Sequence, residues 1–197
     1  MRIDRRSVRS KLKPAQHWSA VLVLQGTLAL GACKSQPVAS RSDASVRRGI
    51  VKTDNEGMKF EPDAALAKTA SDASHEAVKF AKQSYDVVLD WSDSSVSDLE
   101  RLLETFYRQK LDAGADEKKV AQVGAVFGSY VGEVFRRNHG GQWGFITRDE
   151  ERFPGMRANR SGQLFWPWGR VQHRLSNGPA DNVADYYRLI VHDDVYK

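Results

Sequence analysis

From Val120 to Arg137 the apolar residues fall three and four apart, the spacing of a helix that buries one stripe. Val120, Phe127, Val131 and Phe135 share a face with Gly124, Gly128 and Gly132, while Ser129, Glu133 and Arg137 fall on the opposite side. Glycine costs a helix about 1 kcal/mol relative to alanine, so three of them on the buried stripe imply close approach by another element. A groove that admits a partner's backbone or a ligand is the alternative. Arg136 and Arg137 complement the negative end of the helix dipole, and Asn138, Gly140 and Gly141 stop the helix.

The same periodicity predicts further helices upstream. Pro62-Asp63 opens one that carries Leu66, Ala70, Ala77, Phe80 and Ala81 and runs on to Val88 and Leu89. Turn residues over Asp90–Ser95 interrupt it. A second helix starts at Val96 or Ser97 and ends at Ala113 before Gly114, with Leu99, Leu102, Leu103, Phe106 and Leu111 on its apolar face. Alternation then replaces the helical period. Gln142–Thr147, Met156–Asn159 and Gln163–Trp166 read as three short antiparallel strands. A charged connection over Asp149–Arg152, a Pro154-Gly155 turn and an Arg160-Ser161-Gly162 turn separate them. Pro167 begins a short helix with Val171 and Leu175, ended by Asn177-Gly178, and Pro179-Ala180-Asp181 opens the last helix. The expected class is α+β: several helices packed on one small antiparallel sheet of about three strands, with a C-terminal helix.

Residues 34–60 break both periods. They are rich in Ser, Arg, Asp and Gly, the composition of a flexible tether. Before them, a basic region ending at Lys13, an apolar run from Trp18 to Leu30 and a small-residue site at Gly31-Ala32 form the three parts of a secretory leader. The apolar run is too short and interrupted to span a bilayer, which needs about 20 such residues. The division is therefore a leader over 1–32, an anchor and tether over 33–60, and one domain over 61–197.

Charge changes meaning once the leader is separated. Of the 30 basic and 25 acidic residues, six basic and one acidic lie in the first 32, which leaves 24 of each. The rest of the chain is formally neutral and gives no reason to expect nucleic-acid binding.

The one cysteine in the chain, Cys33, directly follows the leader. Leu30-Gly31-Ala32-Cys33 resembles a bacterial lipobox. The resemblance implies cleavage before Cys33, attachment of palmitate-type acyl chains to it, and anchoring in the bacterial envelope. Lys34 in place of an aspartate implies the outer membrane, with the domain facing the periplasm. Arg5-Arg6 resembles a twin-arginine signal without its downstream pattern. An acylated Cys33 is no nucleophile or metal ligand, and a single cysteine forms no internal disulfide.

A second resemblance covers Tyr85 to Val191. Ser95-Val96, the run Gly128-Ser129-Tyr130-Val131-Gly132-Glu133-Val134 with Gly140-Gly141-Gln142-Trp143, and Pro167-Trp168-Gly169-Arg170-Val171 with Asn177-Gly178 and Tyr186-Tyr187 resemble bacterial domains of unknown function. It implies a fold and no activity.

Chemistry is sparse. His75, His139, His173 and His192 pair with no ligand at metal spacing, and the sequence holds no P-loop, dinucleotide fingerprint or nucleophile elbow. No catalytic residue, metal or cofactor is assigned. His192-Asp193-Asp194 reads as a solvated tail. Glu133 and His139 form a candidate polar site. Trp166, Trp168, Arg170, His173 and Arg174 form a candidate interaction surface, since Trp and Arg dominate binding energy at interfaces, although tryptophan anchors of a small core explain the same pattern. The functional expectation is a lipid-anchored envelope module that binds a protein partner without catalysis. The alternatives are an enzyme on a cell-wall or glycan substrate and a purely structural envelope lipoprotein.

Overall fold

The computed structural model describes residues 57–113 and 116–196. The leader, Cys33, the tether as far as residue 56 and Gly114 lie outside the described residues. Within them the elements follow the order β1 (Lys59–Pro62), α1 (Ala64–Tyr85), α2 (Ser95–Ala113), α3 (Glu117–Asn138), β2 (Gly141–Arg148), β3 (Glu151–Ala158), β4 (Leu164–Phe165), α4 (Pro167–Asn177), a 3-10 turn (Pro179–Asp181) and α5 (Val183–Tyr196). Five helices pack on one four-stranded antiparallel sheet of order β1-β2-β3-β4. The α+β class and the C-terminal helix match the expectation, and the sheet has one strand more. That strand is β1, which pairs Phe60 with Ile146 and Pro62 with Gly144. It has only four residues and follows a polar stretch, so alternation alone could not separate it from the tether.

Local chemistry sets the boundaries. Asp63 caps α1, its side chain accepting the Leu66 N–H at 2.7 Å, while its own N–H continues the sheet to the Trp143 carbonyl. Proline at 62 therefore ends a strand instead of opening the helix. Helix α1 stops at Tyr85, because Asp86 takes the left-handed conformation at φ 54°. Asp116 caps α3 through the Lys119 N–H, and Gly140 at φ 81° turns the chain into β2.

The strand pair β2–β3 is longer than expected. Its turn is the two-residue Asp149-Glu150, both at positive φ, and Arg148 pairs with Glu151. Pro154-Gly155 is no turn; Pro154 lies within β3 opposite Phe145. Strand β4 covers only Met156 and Arg157, so β3 is an edge there and tolerates a proline.

Helix α3 is the centre of the molecule. It is buried on nearly every side from Val123 to Phe135, including Ser129 and Glu133, which the periodicity had placed on a wet face. The apolar stripe faces α1 and α4, and the polar side is covered as well. Gly124 and Gly128 explain the close approach of α4, and Gly132 that of the sheet. A Cβ on Gly128 would stand 2.6 Å from the Trp168 Cα and 2.8 Å from the Pro167 carbonyl oxygen. One on Gly124 would meet the Gln172 side chain, and one on Gly132 the Trp143 indole. The stripe is filled by the chain itself and leaves no groove.

Candidate functional site

Of the expected interaction surface at Trp166–Arg174, Trp168 and Arg174 are buried, Trp166 and Arg170 are half-buried and His173 is exposed. Trp168 is buried against α3, where its indole N–H donates to Ser129 Oγ at 2.9 Å. Arg174 is 1% exposed and clamps α4 to α2, with Nε 2.6 Å from Glu100 Oε1 and Nη2 2.6 Å from Glu104 Oε2. Burial disfavours the guanidinium charge, and the two carboxylates outweigh it, so Arg174 stays charged. Arg170 pairs with Asp181 and lies over the Tyr186 ring. Trp166 is half-buried, its backbone N–H on Tyr186 Oη, and only His173 is exposed. Amphipathic α4 turns Trp168 toward Gly128 of α3 and Arg174 toward α2, so these two side chains are spent within the fold.

The supposed solvated tail is helical to Tyr196, and Asp193 and Asp194 are buried. Asp194 Oδ1 accepts the N–H and hydroxyl of Ser161.

The pair Glu133 and His139 separates into two neighbouring networks. Glu133 is 0% exposed. Its Oε1 accepts from Arg136 Nε at 2.8 Å and from the Trp143 indole at 2.9 Å, and its Oε2 accepts from Arg136 Nη2 at 2.8 Å. Burial pushes the carboxyl up, but these bonds and the charges of Arg136 and Arg137 hold it below the usual carboxylate range. Glu133 is a fixed anion near the end of α3: Arg136 holds it from the same helix, and the Trp143 indole ties it to β2.

His139 lies just past α3 and meets the loop before α2. Its Nε2 stands 2.9 Å from Asp93 Oδ2. Asp93 Oδ1 accepts from Asn138 Nδ2 at 2.9 Å and from the Tyr187 hydroxyl of α5 at 2.5 Å. Burial raises the Asp93 carboxyl, and the three donors bring it below its ordinary value. Burial and the same carboxylate push the Tyr187 hydroxyl well up, which keeps it a neutral donor. One aspartate thus ties three parts of the fold together.

Trp91, two residues earlier, was not singled out from sequence. It adopts φ 69°, an outlier for a bulky side chain. Its ring centroid lies 5.0 Å from that of Tyr130 and 5.2 Å from that of His75. The Arg137 guanidinium carbon stacks 3.6 Å from its centroid. The Trp91 N–H donates to Tyr130 Oη, which also bonds Ser95 Oγ at 2.5 Å. The sequence signal was available: a tryptophan inside an Asp/Ser turn has no core period to explain it. His75, Trp91 and Arg137 all reach the surface, and Val88 in the same loop is 59% exposed.

Among the described residues, no group of three His, Cys, Asp or Glu side chains is placed to hold a metal ion, and no helix is long and apolar enough to cross a membrane.

No family model matches the chain, and no curated protein matches it. Among solved structures, a crystal structure of a Bacteroides thetaiotaomicron VPI-5482 protein is similar at 15% identity and a TM-score of 0.47. The match covers 68% of this chain and 47% of that one, so the chain spans about half the length of that neighbour.

Proposed function

We propose that this is a lipid-anchored protein of the bacterial envelope, held by an acylated Cys33 in the outer membrane and facing the periplasm, whose domain binds a protein partner. Leu30-Gly31-Ala32-Cys33 and the polar stretch after it support the anchoring half. The binding half rests on one observation. Trp91, in a strained loop, is sandwiched between His75, Tyr130 and Arg137 and still reaches the surface. Strained backbone is retained where surrounding contacts over-determine it, and such positions cluster at functional sites. Aromatic and arginine side chains are also the usual anchors of interfaces.

Site-specific photo-crosslinking from Val88, in cells carrying the acylated chain at native abundance, tests this. The expected result is one envelope protein captured in high yield, and lost on Trp91→Ala. Equal labelling of many proteins, or capture indifferent to Trp91→Ala, rejects the reading.

A second reading is an enzyme on a cell-wall or glycan substrate, favoured by the 2.9 Å pair of His139 and Asp93, the arrangement that orients an imidazole as a general base. An intact envelope phenotype in His139→Gln would discard it.

A further inference from the structure

We propose that the Arg137–Trp91 plate receives a carboxylate side chain from an acidic segment of the partner, an inference that rests on the binding-module reading above. The argument begins with unequal charge. Two guanidiniums stand at the end of α3 beside one buried carboxylate. Arg136 takes both oxygens of Glu133, and Trp143 takes a further position on Oε1. Arg137 Nε is left 3.8 Å from Glu133 Oε2, too far for a hydrogen bond. Among the described residues, no other acceptor engages its guanidinium.

The unengaged group is nevertheless fixed. Stacking on Trp91 at 3.6 Å sets its plane, and Tyr130 and His75 set that of Trp91. A held, planar guanidinium with its Nη edge free matches a carboxylate in two parallel bonds and loses little side-chain entropy in making them. The Arg137 side chain keeps 32% of its surface in water, so a ligand can reach it.

The surroundings favour a carboxylate over a phosphate. Asp90 and Asp93 stand in the same loop, so the plate offers one unmatched positive charge, which a carboxylate neutralises and a doubly charged phosphate exceeds. Val88, three residues before Trp91, offers an apolar contact that a peptide side chain can use. The occupant is therefore an acidic peptide segment with a neighbouring apolar residue.

The probe is a short synthetic peptide of leucine and glutamate, titrated into the full acylated chain in detergent. Binding is read by calorimetry and by the NMR signal of Arg137 Nε. Controls are the same peptide with glutamine for glutamate, a phosphoserine version, and vesicles of phosphatidylglycerol. The proposal expects the glutamate peptide to bind at least about tenfold more tightly than the glutamine one. It expects that preference to vanish in Arg137→Gln and to fall in Arg137→Lys, which keeps the charge and loses the fork. Equal binding of the two peptides, an unchanged preference in Arg137→Gln, or stronger binding of phosphoserine or vesicles through Arg137 overturns it. If Trp91-dependent crosslinking to a protein persists while the glutamate peptide fails, only the carboxylate inference falls. If the peptide binds through Arg137 while no protein is captured, acid recognition stands and the protein-partner reading falls.

Discussion

Glu133 shows how burial and partner together decide what a carboxylate can do. Buried without donors it would lean toward the neutral acid, the state a general acid needs. With Arg136 and the Trp143 indole in place it is held ionised instead. Its folded pKa lies below the unfolded value near 4, so its stabilising effect is full above that value and fades as pH falls through the folded one. Asp93 shifts in the same direction and acts in the same window. Glu133→Gln should therefore destabilise the protein at neutral pH and flatten the acid limb of its stability curve. The expected cost is about 2 kcal/mol, below the full cost of breaking a buried pair because Arg136 reaches water. Urea unfolding from pH 7 down to pH 3 measures both effects. A variant as stable as the wild type at pH 7, with an unchanged acid limb, would contradict this account.

Between elements, space and connection decide more than local propensity. Alanine is the better helix former by about 1 kcal/mol, so Gly→Ala in α3 tests whether a glycine is there for packing. At Gly128 the new methyl would strike the backbone of α4, which cannot turn aside. At Gly124 it meets the half-exposed Gln172 side chain, which can move into water. Gly128→Ala should cost about 2 kcal/mol or more, and Gly124→Ala much less, measured by urea unfolding. Asp93 makes the matching polar connection. Asp93→Ala strands the Tyr187 hydroxyl, frees His139 and leaves Asn138 only the Trp91 carbonyl, and should lower stability by about 2 kcal/mol. Asp93→Asn keeps an acceptor for Tyr187 and should lose less. Sequence pattern made the helices legible because each buries one periodic stripe, and the glycine spacing foretold a tight contact. It misjudged α3 because a helix wrapped by neighbours on all sides has no wet face for Ser129 and Glu133 to mark. It missed β1, a four-residue strand after a polar stretch, and it made β3 too short because the Asp149-Glu150 turn uses two non-glycine residues at positive φ. Of the site residues, His139 was legible as the residue after a helix stop. Its partner Asp93 lies 46 positions away and is joined to it only by folding.

At the scale of the whole molecule, the proposed acyl anchor at Cys33 and the proposed binding surface of the domain make separable predictions. A single acyl chain holds a protein only marginally, so the two or more chains implied at Cys33 are what would make anchoring stable. On the anchoring proposal, Cys33→Ser should move the chain from the membrane pellet to the soluble periplasmic fraction, with circular dichroism of the domain unchanged, because the core of the domain is built from residues 66–190. Membrane retention by Cys33→Ser would point to a partner or surface that holds the domain by itself. The binding reading then makes a finer demand. Confinement to a membrane raises the effective concentration of a partner in that same membrane, within the reach of the tether. Capture of such a partner should fall in Cys33→Ser even though the Trp91 surface is intact, and should be lost in Trp91→Ala even though the anchor is intact. A purely structural lipoprotein would respond to Cys33→Ser alone. The comparison of these two variants, each scored for membrane fractionation and for crosslinked product, therefore separates a domain that serves as a tethered binder from one that only occupies the envelope.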